Sequence, residues 1–265
     1  MSVKGLGGAA VGIRSALSRR AVAELIGTAA LVLVIVGSGI QAAAISPDSG
    51  VRLLGNSLAS AIGLGLLIAL LAPVSGAHLN PVITLSAWWS HRRGGTGLTG
   101  REVGLYLSAQ LSGAVAGALL AEGMFGRALG TWSTQIRSAG HLLIGEAVAT
   151  AGLVLLVHGL ERIGRARLMP VAVAAYIAAA IWFTSSGSFA NPAATVGRAF
   201  SDSFTGIAPA SLPGFIAAQL VGGLVGAMLA AVLYGRPATA TAAATATSTV
   251  TAAAATATGT ARASR

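Results

Sequence analysis

Three apolar segments without a charged residue constrain this chain more than any other feature of its sequence. Residues 25–47, 53–79 and 203–235 contain no Lys, Arg, Asp or Glu. Each is longer than the roughly 20 residues that an α-helix needs to cross about 30 Å of hydrocarbon. The segments show no alternation of polar and apolar residues, which favours packed helices over a transmembrane barrel. The sequence therefore predicts an all-α membrane protein.

Apolar segments long enough to span a membrane occur six times, and two of them run into a broken segment. The spans cover about 21–44, 53–72, 102–121, 140–160, 168–185 and 212–234. After the second span, Asn80-Pro81 is followed within about ten residues by His91 and two arginines, too soon for another crossing. A half-helix that enters the membrane and returns to the same side fits this spacing, provided that protein or water covers its backbone. Asn191-Pro192 follows the fifth span in the same way, so we predict six transmembrane helices and two re-entrant half-helices.

The two halves of the chain repeat one pattern. Residues 24–34 read ELIGTAALVLV and residues 146–156 read EAVATAGLVLL, while the broken segments read HLNPVITL and FANPAATV. Spans three and six share an aromatic residue followed by Ala-Gln-Leu and two glycines. Because each half has an odd number of crossings, the second copy lies upside down relative to the first, as in transporters and channels. We predict an inverted 3+3 repeat, with repeat one at about 21–122 and repeat two at about 140–236.

The basic residues predict the orientation in the membrane. Six spans place both termini on one side. With cytoplasmic termini, thirteen of the 17 Lys and Arg residues lie inside and four lie outside. This asymmetry predicts a multi-pass protein of the inner (plasma) membrane with a cytoplasmic arm at 1–20. The alternative, a cleaved signal peptide, is disfavoured because an internal span copies the first one. The Ala/Thr-rich residues 237–265 predict a disordered tail.

Composition and motif content exclude several classes of function. The net charge of +10 is spread over the loops between spans, so it indicates topology and predicts no nucleic-acid partner. The absence of cysteine removes disulfides, thiolate metal sites and thiol nucleophiles. The four histidines show no ligand spacing, so no metal site is predicted. The sequence contains no nucleophile–base pair or phosphate loop, and we predict no cofactor and no enzymatic activity.

Asn80-Pro81 and Asn191-Pro192 have the composition of two helix starts. Asparagine is a good N-cap, and proline at the first helical position costs no hydrogen bond. In an inverted repeat the two starts face each other from opposite leaflets. Each contributes a partial positive charge of roughly half a unit and unpaired N–H groups near the membrane centre. Water or a hydroxylated solute can accept these hydrogen bonds, whereas a cation meets a positive barrier.

These motifs resemble those of the aquaporins and glycerol facilitators, also called major intrinsic proteins. The segment SGAHLNP at residues 75–81 is similar to the family's first signature, and Asn191-Pro192-Ala193 is similar to the second. The resemblance covers about residues 20–235. It implies a passive channel in the lipid bilayer for water and small neutral solutes, with one pore per protomer and usual assembly as a homotetramer.

The chain departs from the family pattern at its filter. Val82 stands where alanine is usual, which we interpret as neutral packing. The arginine that usually follows the second motif is replaced by Ala194. Counting outward from the motifs, the resemblance places the other three filter positions at Ser60, Ala179 and Ser188. All four filter residues are small and uncharged, which predicts a wider and less polar constriction that admits solutes larger than water.

A third departure affects the choice of solute. Glycerol facilitators usually have an aspartate after the filter arginine, and this chain has Thr195. The sequence is more similar to the aquaporin-like channels associated with bacterial arsenic resistance, in which a small residue replaces the arginine. Arsenous acid in water is an uncharged trihydroxide that resembles a polyol, and the chain has no thiol to trap it. The expected solutes are water, glycerol-like polyols and arsenous acid.

Three ionisable residues within the apolar segments are further candidates. Arg198 lies four residues, or about 6 Å, beyond Ala194 on nearly the same helix face, and its side chain leans back toward it. It either returns positive charge to the outer vestibule, or pairs with Asp202 or reaches lipid head groups. Glu24 and Glu146 occupy matching positions in the repeats, which predicts that they accept hydrogen bonds from the re-entrant loops.

Two alternative functions are also compatible with the sequence. A water-selective channel would share the same fold and motifs. A proton-coupled secondary transporter would also use an inverted repeat and buried glutamates, and it predicts uphill transport that uncouplers abolish.

Overall fold

The computed structural model describes residues 16–91 and 97–235, and within these ranges the regular structure is helical. In chain order the helices are α1 (Leu17–Ile45), α2 (Ser49–Ser75), α3 (Pro81–His91), α4 (Gly100–Met124), α5 (Gly140–Arg162), α6 (Met169–Phe183), α7 (Pro192–Arg198) and α8 (Leu212–Tyr234). Within the described residues, six helical segments are long and apolar enough to cross a membrane; those that contain α6 and α8 begin with a 3-10 turn and cover Ala166–Phe183 and Pro209–Tyr234. The predicted all-α fold is therefore confirmed. The predicted tail at 237–265 and most of the predicted arm at 1–20 lie outside the described residues.

The helix ends follow local signals in the sequence. Asp48 caps α2 by accepting a hydrogen bond from the Val51 N–H at 2.8 Å. Thr99 and Glu102 form a reciprocal capping box at the start of α4. Helix α2 continues three residues beyond its predicted end, through Pro73, and stops at Gly76 with φ of 91°. Because proline removes a single hydrogen bond in the last turn, the helix continues past it until a left-handed glycine ends it.

Paired glycines bring the long helices of each repeat into direct backbone contact. In repeat one, a side chain on Gly113 or Gly117 of α4 would overlap backbone carbonyl oxygens of α1. In repeat two, a side chain on Gly222 or Gly226 of α8 would overlap the carbonyl oxygens of Ala147 and Ala151 on α5. Close approach through small residues stabilises helix pairs in a membrane, where apolar burial alone contributes little. The α1–α4 and α5–α8 pairs are therefore equivalent parts of the two repeats.

The half-helices α3 and α7 lie inside the bundle formed by these pairs. Gly197 of α7 packs on α4 so closely that an added Cβ would lie 2.6 Å from the Ala114 carbonyl oxygen. Val82 of α3 is buried, and its Cγ1 lies directly over Gly223 of α8. The larger residue at position 82 is thus accommodated by a glycine on the facing helix, in agreement with its interpretation as packing.

The outer faces of the spanning helices are apolar. On α2, for example, Ile62, Leu66 and Leu70 are 59%, 67% and 69% exposed and recur every four residues. Such a stripe lies on one side of a helix. Its exposure suits contact with lipid chains or with a neighbouring copy, which is the environment of a polytopic membrane protein.

Candidate functional site

A cavity of about 650 Å³ lies between the two repeats. Its lining includes His158 near the end of α5 and Arg137 just before the start of that helix. Because α5 has 23 residues, its ends are separated by roughly 34 Å at 1.5 Å per residue. The cavity therefore extends over most of the thickness of a hydrocarbon core. Asn80 and Asn191 both line it, so the half-helix starts lie on this pathway.

Each half-helix is preceded by a loop with two residues in the left-handed backbone region. The φ angles are 48° at Ala77 and 50° at Leu79, and 46° at Ser188 and 47° at Ala190. The left-handed conformation costs a non-glycine residue roughly 1–2 kcal/mol, so it persists only where surrounding contacts fix it. The same two positions relative to the asparagine are strained in both repeats, which indicates that each loop is held in place by specific partners.

Glu24 supplies these contacts in repeat one. Its carboxylate accepts hydrogen bonds from the backbone N–H of His78 at 3.0 Å and of Leu79 at 2.7 Å. The Ser75 hydroxyl donates to it at 2.6 Å, and the Gln110 amide donates at 2.8 Å. The carboxylate is fully buried within the membrane-spanning bundle. Four donors around one carboxylate offset the cost of burying its charge.

Glu146 has the equivalent position and partners in repeat two. Its carboxylate accepts from the N–H of Phe189 at 2.8 Å and of Ala190 at 2.9 Å, and from the Gln219 amide at 2.7 Å. The Gln219 amide also donates to Thr195 at 2.8 Å. Glu146 is therefore fixed in the same way as Glu24, and Thr195 is a link in this network.

The two asparagines join the repeats to each other. The Asn80 amide donates to the Ala190 carbonyl oxygen at 2.7 Å, and the Asn191 amide donates to the Leu79 carbonyl oxygen at 2.8 Å. Each amide nitrogen carries two hydrogens, so one remains on each side chain after this reciprocal link. The prolines of both motifs, together with Val82 and Ala193, are buried outside the cavity lining.

The helix starts differ from the sequence expectation in one respect. Their first N–H groups are not left unpaired, because each asparagine oxygen turns back onto its own helix. Asn80 Oδ1 accepts from Val82 N–H at 2.9 Å, and Asn191 Oδ1 accepts from the N–H groups of Ala193 at 3.0 Å and Ala194 at 3.2 Å. The N-cap competes with solute for these donors. The asparagine N–H groups are thus the donors that the motifs leave for a solute.

Three of the four residues predicted for the filter line the cavity: Ser60, Ser188 and Ala194. The fourth prediction is wrong. Ala179 is exposed on the outer face of α6 and is absent from the lining, whereas Ile177 and Ile181 line the cavity. Residues of a helix are separated by about 100° of rotation, so a difference of two positions moves a side chain to the opposite face. The prediction counted residues from the second motif back across the loop before α7, and this count missed the inward-facing residues of α6 by two positions.

Arg198 lines the cavity and is 8% exposed. Its Nε donates to the Thr205 carbonyl oxygen at 2.5 Å, and its guanidinium carbon lies 3.2 Å from the centre of the Phe189 ring. Asp202 instead accepts hydrogen bonds from Thr134. The structure therefore places Arg198 toward the cavity, and the alternative of an Asp202 pair does not occur.

Sequence reasoning missed several residues of the cavity wall. Arg137 lies in the connection between α4 and α5 and lines the same end of the cavity as Arg198. Trp182 lines the wall and donates its indole N–H to the Ser57 hydroxyl at 3.1 Å. Phe189 could have been found from its place two residues before the second Asn-Pro. Nothing in the sequence identified Arg137, because its position depends on how a long connection folds back over the bundle.

Six spanning helices surround a cavity that extends over most of the membrane thickness, and two half-helices are linked at its centre. This is the architecture of a membrane channel. The sequence profile described as Major intrinsic protein matches residues 13–182. The chain is 42% identical over 206 residues to the aquaglyceroporin AqpS of Rhizobium meliloti, covering 78% of this chain and 86% of the relative. It is 32% identical over 247 residues to the probable aquaporin AqpM of Archaeoglobus fulgidus, covering 82% and 96%.

Solved structures agree on the fold. The aquaglyceroporin from Plasmodium falciparum superposes with a TM-score of 0.64 at 20% identity, covering 83% of this chain and 96% of that one. The chain therefore belongs to the major intrinsic protein family, whose members are passive channels for water and small solutes and not enzymes.

Proposed function

We propose that this channel conducts small neutral solutes larger than water, including glycerol-like polyols, through a constriction that lacks the filter arginine. The observation that carries the proposal is Ala194, which is 2% exposed and lines the cavity directly after the second Asn-Pro-Ala. A methyl group at this position leaves room that a guanidinium would fill. The 42% identical relative named an aquaglyceroporin supports the same solute class.

The wall of the cavity suits an amphipathic solute. The hydroxyls of Ser60 and Ser188 are buried, and neither has a hydrogen-bond partner among the described residues. A rotation about χ1 is enough to offer a serine hydroxyl to a passing solute. Ile177 and Ile181 lie on the same pathway and present hydrocarbon. A polyol, with hydroxyls on one side and carbon on the other, can satisfy both kinds of wall.

The same wall extends the proposal to arsenous acid. As a neutral trihydroxide it offers donors and acceptors like those of glycerol. The chain has no cysteine, so no thiol can capture trivalent arsenic along the pathway. Arg198 contributes positive charge beside the constriction, in partial replacement of the missing filter arginine, and this charge opposes the entry of cations.

We also propose the assembly and orientation that the family resemblance and charge distribution support. The channel acts in the inner membrane as a homotetramer, with one pore in each protomer and both termini in the cytoplasm. The apolar outer faces of the spanning helices provide the contacts with lipid and with neighbouring protomers.

Proton-coupled transport is the less favoured mechanism. Glu24 accepts four hydrogen bonds and Glu146 accepts three from the loops and helices around them. A carboxylate that releases and takes up protons would have to break such a set in every cycle. These glutamates therefore act as fixed supports of the loops.

Stopped-flow light scattering on proteoliposomes tests the proposal. We expect glycerol and arsenous acid to enter faster than into protein-free vesicles, down their gradients only and at rates unchanged by a protonophore. Fast water flow with exclusion of both solutes would replace the proposal with a water-selective channel. Uphill solute accumulation that the protonophore abolishes would replace it with a coupled transporter.

A further inference from the structure

Two arginines converge on one aromatic ring at the outer end of the cavity. The guanidinium carbon of Arg198 lies 3.2 Å from the centre of the Phe189 ring, and that of Arg137 lies 5.3 Å from the same centre. All three residues line the cavity. Two like charges at one ring repel each other, so this arrangement requires other contacts that hold it.

Consecutive carbonyl groups anchor the two side chains. Arg198 donates its Nε–H to the Thr205 carbonyl oxygen at 2.5 Å, and Arg137 donates its Nε–H to the Gly206 carbonyl oxygen at 2.9 Å. A guanidinium has five N–H donors, of which one is on Nε. Both hydrogen bonds to the carbonyl oxygens use the Nε–H group. They fix each side chain and leave the four N–H donors of its two terminal nitrogens for other acceptors.

Within residues 16–91 and 97–235, no acceptor takes a hydrogen bond from the terminal nitrogens of either arginine, and neither forms an ion pair. The acidic groups on this side have other partners. Glu122 pairs with Arg127, and Asp202 accepts from Thr134. Burial is the largest cause of a lowered pKa at Arg137, and the Glu146 carboxylate only partly opposes it. The pair therefore carries charge that the protein does not neutralise.

We propose that Arg137 and Arg198 form a binding site for a small oxyanion, carboxylate or tetrahedral, at the outer mouth of the channel. Two fork-shaped donor groups match ligands that present two oxygens on one edge. Phe189 forms the apolar floor of the site. An anion bound there lies in the path of neutral solutes, so it slows their passage. This effect on flux rests on the proposed function, whereas the binding does not.

Thermal unfolding of the detergent-solubilised full chain tests binding directly. The probe is methanesulfonate, which stays anionic at neutral pH; dimethyl sulfone is its neutral counterpart of similar shape, and potassium chloride controls for ionic strength. A ligand that binds the folded state raises its unfolding temperature. Of the three compounds, we expect only methanesulfonate to raise the unfolding temperature of the wild type. The methanesulfonate concentration that gives half of the full shift should be at least about tenfold higher in Arg137→Gln than in the wild type.

Arg52→Gln is the matched control, because Arg52 lies at the same side of the membrane and also donates its Nε–H to a carbonyl oxygen, that of Ser46 at 2.6 Å, but does not line the cavity. This variant should respond like the wild type. If Arg137→Gln does not fold, Arg137→Lys keeps the charge without the planar fork and should show the same weakened binding.

The outcomes separate this inference from the proposed function. Equal stabilisation of wild type and Arg137→Gln, or equal effects of chloride and methanesulfonate, overturns the site. In proteoliposomes, methanesulfonate should slow glycerol entry in wild type and slow it less in Arg137→Gln, each relative to its own rate without anion. A protein that shows the thermal shift but no glycerol entry would keep the site and lose the proposed solute.

Discussion

At the residue scale, buried carboxylates fix the geometry of the pathway. Glu24 and Glu146 lie in the first and fourth spanning helices, yet each reaches the loop of its own repeat and holds two backbone N–H groups there. The left-handed residues Leu79 and Ala190 in those loops are strained without such support. An ionised group that is costly in a membrane is thereby used to fix two asparagines at the centre of the cavity.

Replacement of Glu146 by glutamine tests this support. The amide would present hydrogens to one of the three donors that now point at the carboxylate, so at least one hydrogen bond is lost and one donor is left unsatisfied. The cost is roughly 2–3 kcal/mol, or a fall of about 5 °C or more in unfolding temperature. Thermal unfolding in detergent measures it.

Glu161→Gln is the control for that experiment, since the Glu161 side chain is 38% exposed at the end of α5. It should unfold within about 2 °C of the wild type, because a glutamine at this exposed position can still hydrogen-bond the His158 ring while its other side-chain atoms stay in contact with water. Equal unfolding temperatures for the two variants would show that Glu146 does not hold the loop.

Residues marked by local chemistry were predictable from the sequence, whereas residues whose position had to be carried across a loop were not. Asn80 and Asn191 could be assigned because capping chemistry and proline geometry are local. Ala179 was misplaced because its position was counted from the second motif across the loop before α7, and an error of two residues in that count changes the helix face. Arg137 was missed because hydrogen bonds between distant loops, such as that to Gly206, have no local sequence signal.

At the element scale, glycine pairs determine how closely the long helices approach. Gly113 and Gly117 of α4 face the carbonyl oxygens of Leu25 and Ala29 on α1. The sequence shows these glycines as part of the repeat, but their presence alone is weak evidence of helix contact because glycine is common in membrane helices. Their partners became identifiable once the repeat fixed which helices pair.

Gly117→Ala should disrupt the α1–α4 pair. The new Cβ would overlap the Ala29 carbonyl oxygen, and backbone atoms on both helices leave no flexible side chain to move aside. We expect a loss of about 2 kcal/mol or more, seen as a lower unfolding temperature and reduced yield of folded protein in detergent.

Gly104→Ala on the same helix is the matched control, because apart from its chain neighbours and the adjacent backbone of α4 no described atom lies within 4 Å of its added Cβ. Alanine is favoured over glycine in helices by roughly 0.5–1 kcal/mol, so this variant should be as stable as the wild type or slightly more stable. Similar destabilisation by both substitutions would argue against a specific contact at Gly117.

At the scale of the whole molecule, the inverted repeat explains why the two loops meet. Equivalent helix pairs, equivalent glutamates and reciprocal asparagine bonds place α3 and α7 against each other from opposite sides. The sequence predicted this arrangement because an odd number of crossings per repeat forces inversion. The complete lining of the cavity could not be predicted in the same way, since it depends on which faces of α2 and α6 point inward.

Single cysteines test the predicted orientation, and the chain contains no natural cysteine. Ile136 and Ile163 lie in connections at opposite ends of α5 and are 78% and 48% exposed. In intact spheroplasts, a membrane-impermeant maleimide should label Ile136→Cys at once and Ile163→Cys only after permeabilisation. The unmodified chain controls for background, and the reverse pattern would show that the termini are outside.

The claim that Ala194 sets the width of the pore is tested by the glycerol-to-water permeability ratio of wild type and Ala194→Arg in proteoliposomes. The claim predicts rapid glycerol entry in the wild type, and in the variant a fall in glycerol entry of at least about tenfold with a smaller change in water flow, because the guanidinium narrows the constriction. Ala179→Leu, on the outer face of α6, should match the wild type. Glycerol exclusion by the wild type, or an unchanged ratio in Ala194→Arg, would contradict the claim that this position sets the width of the pore.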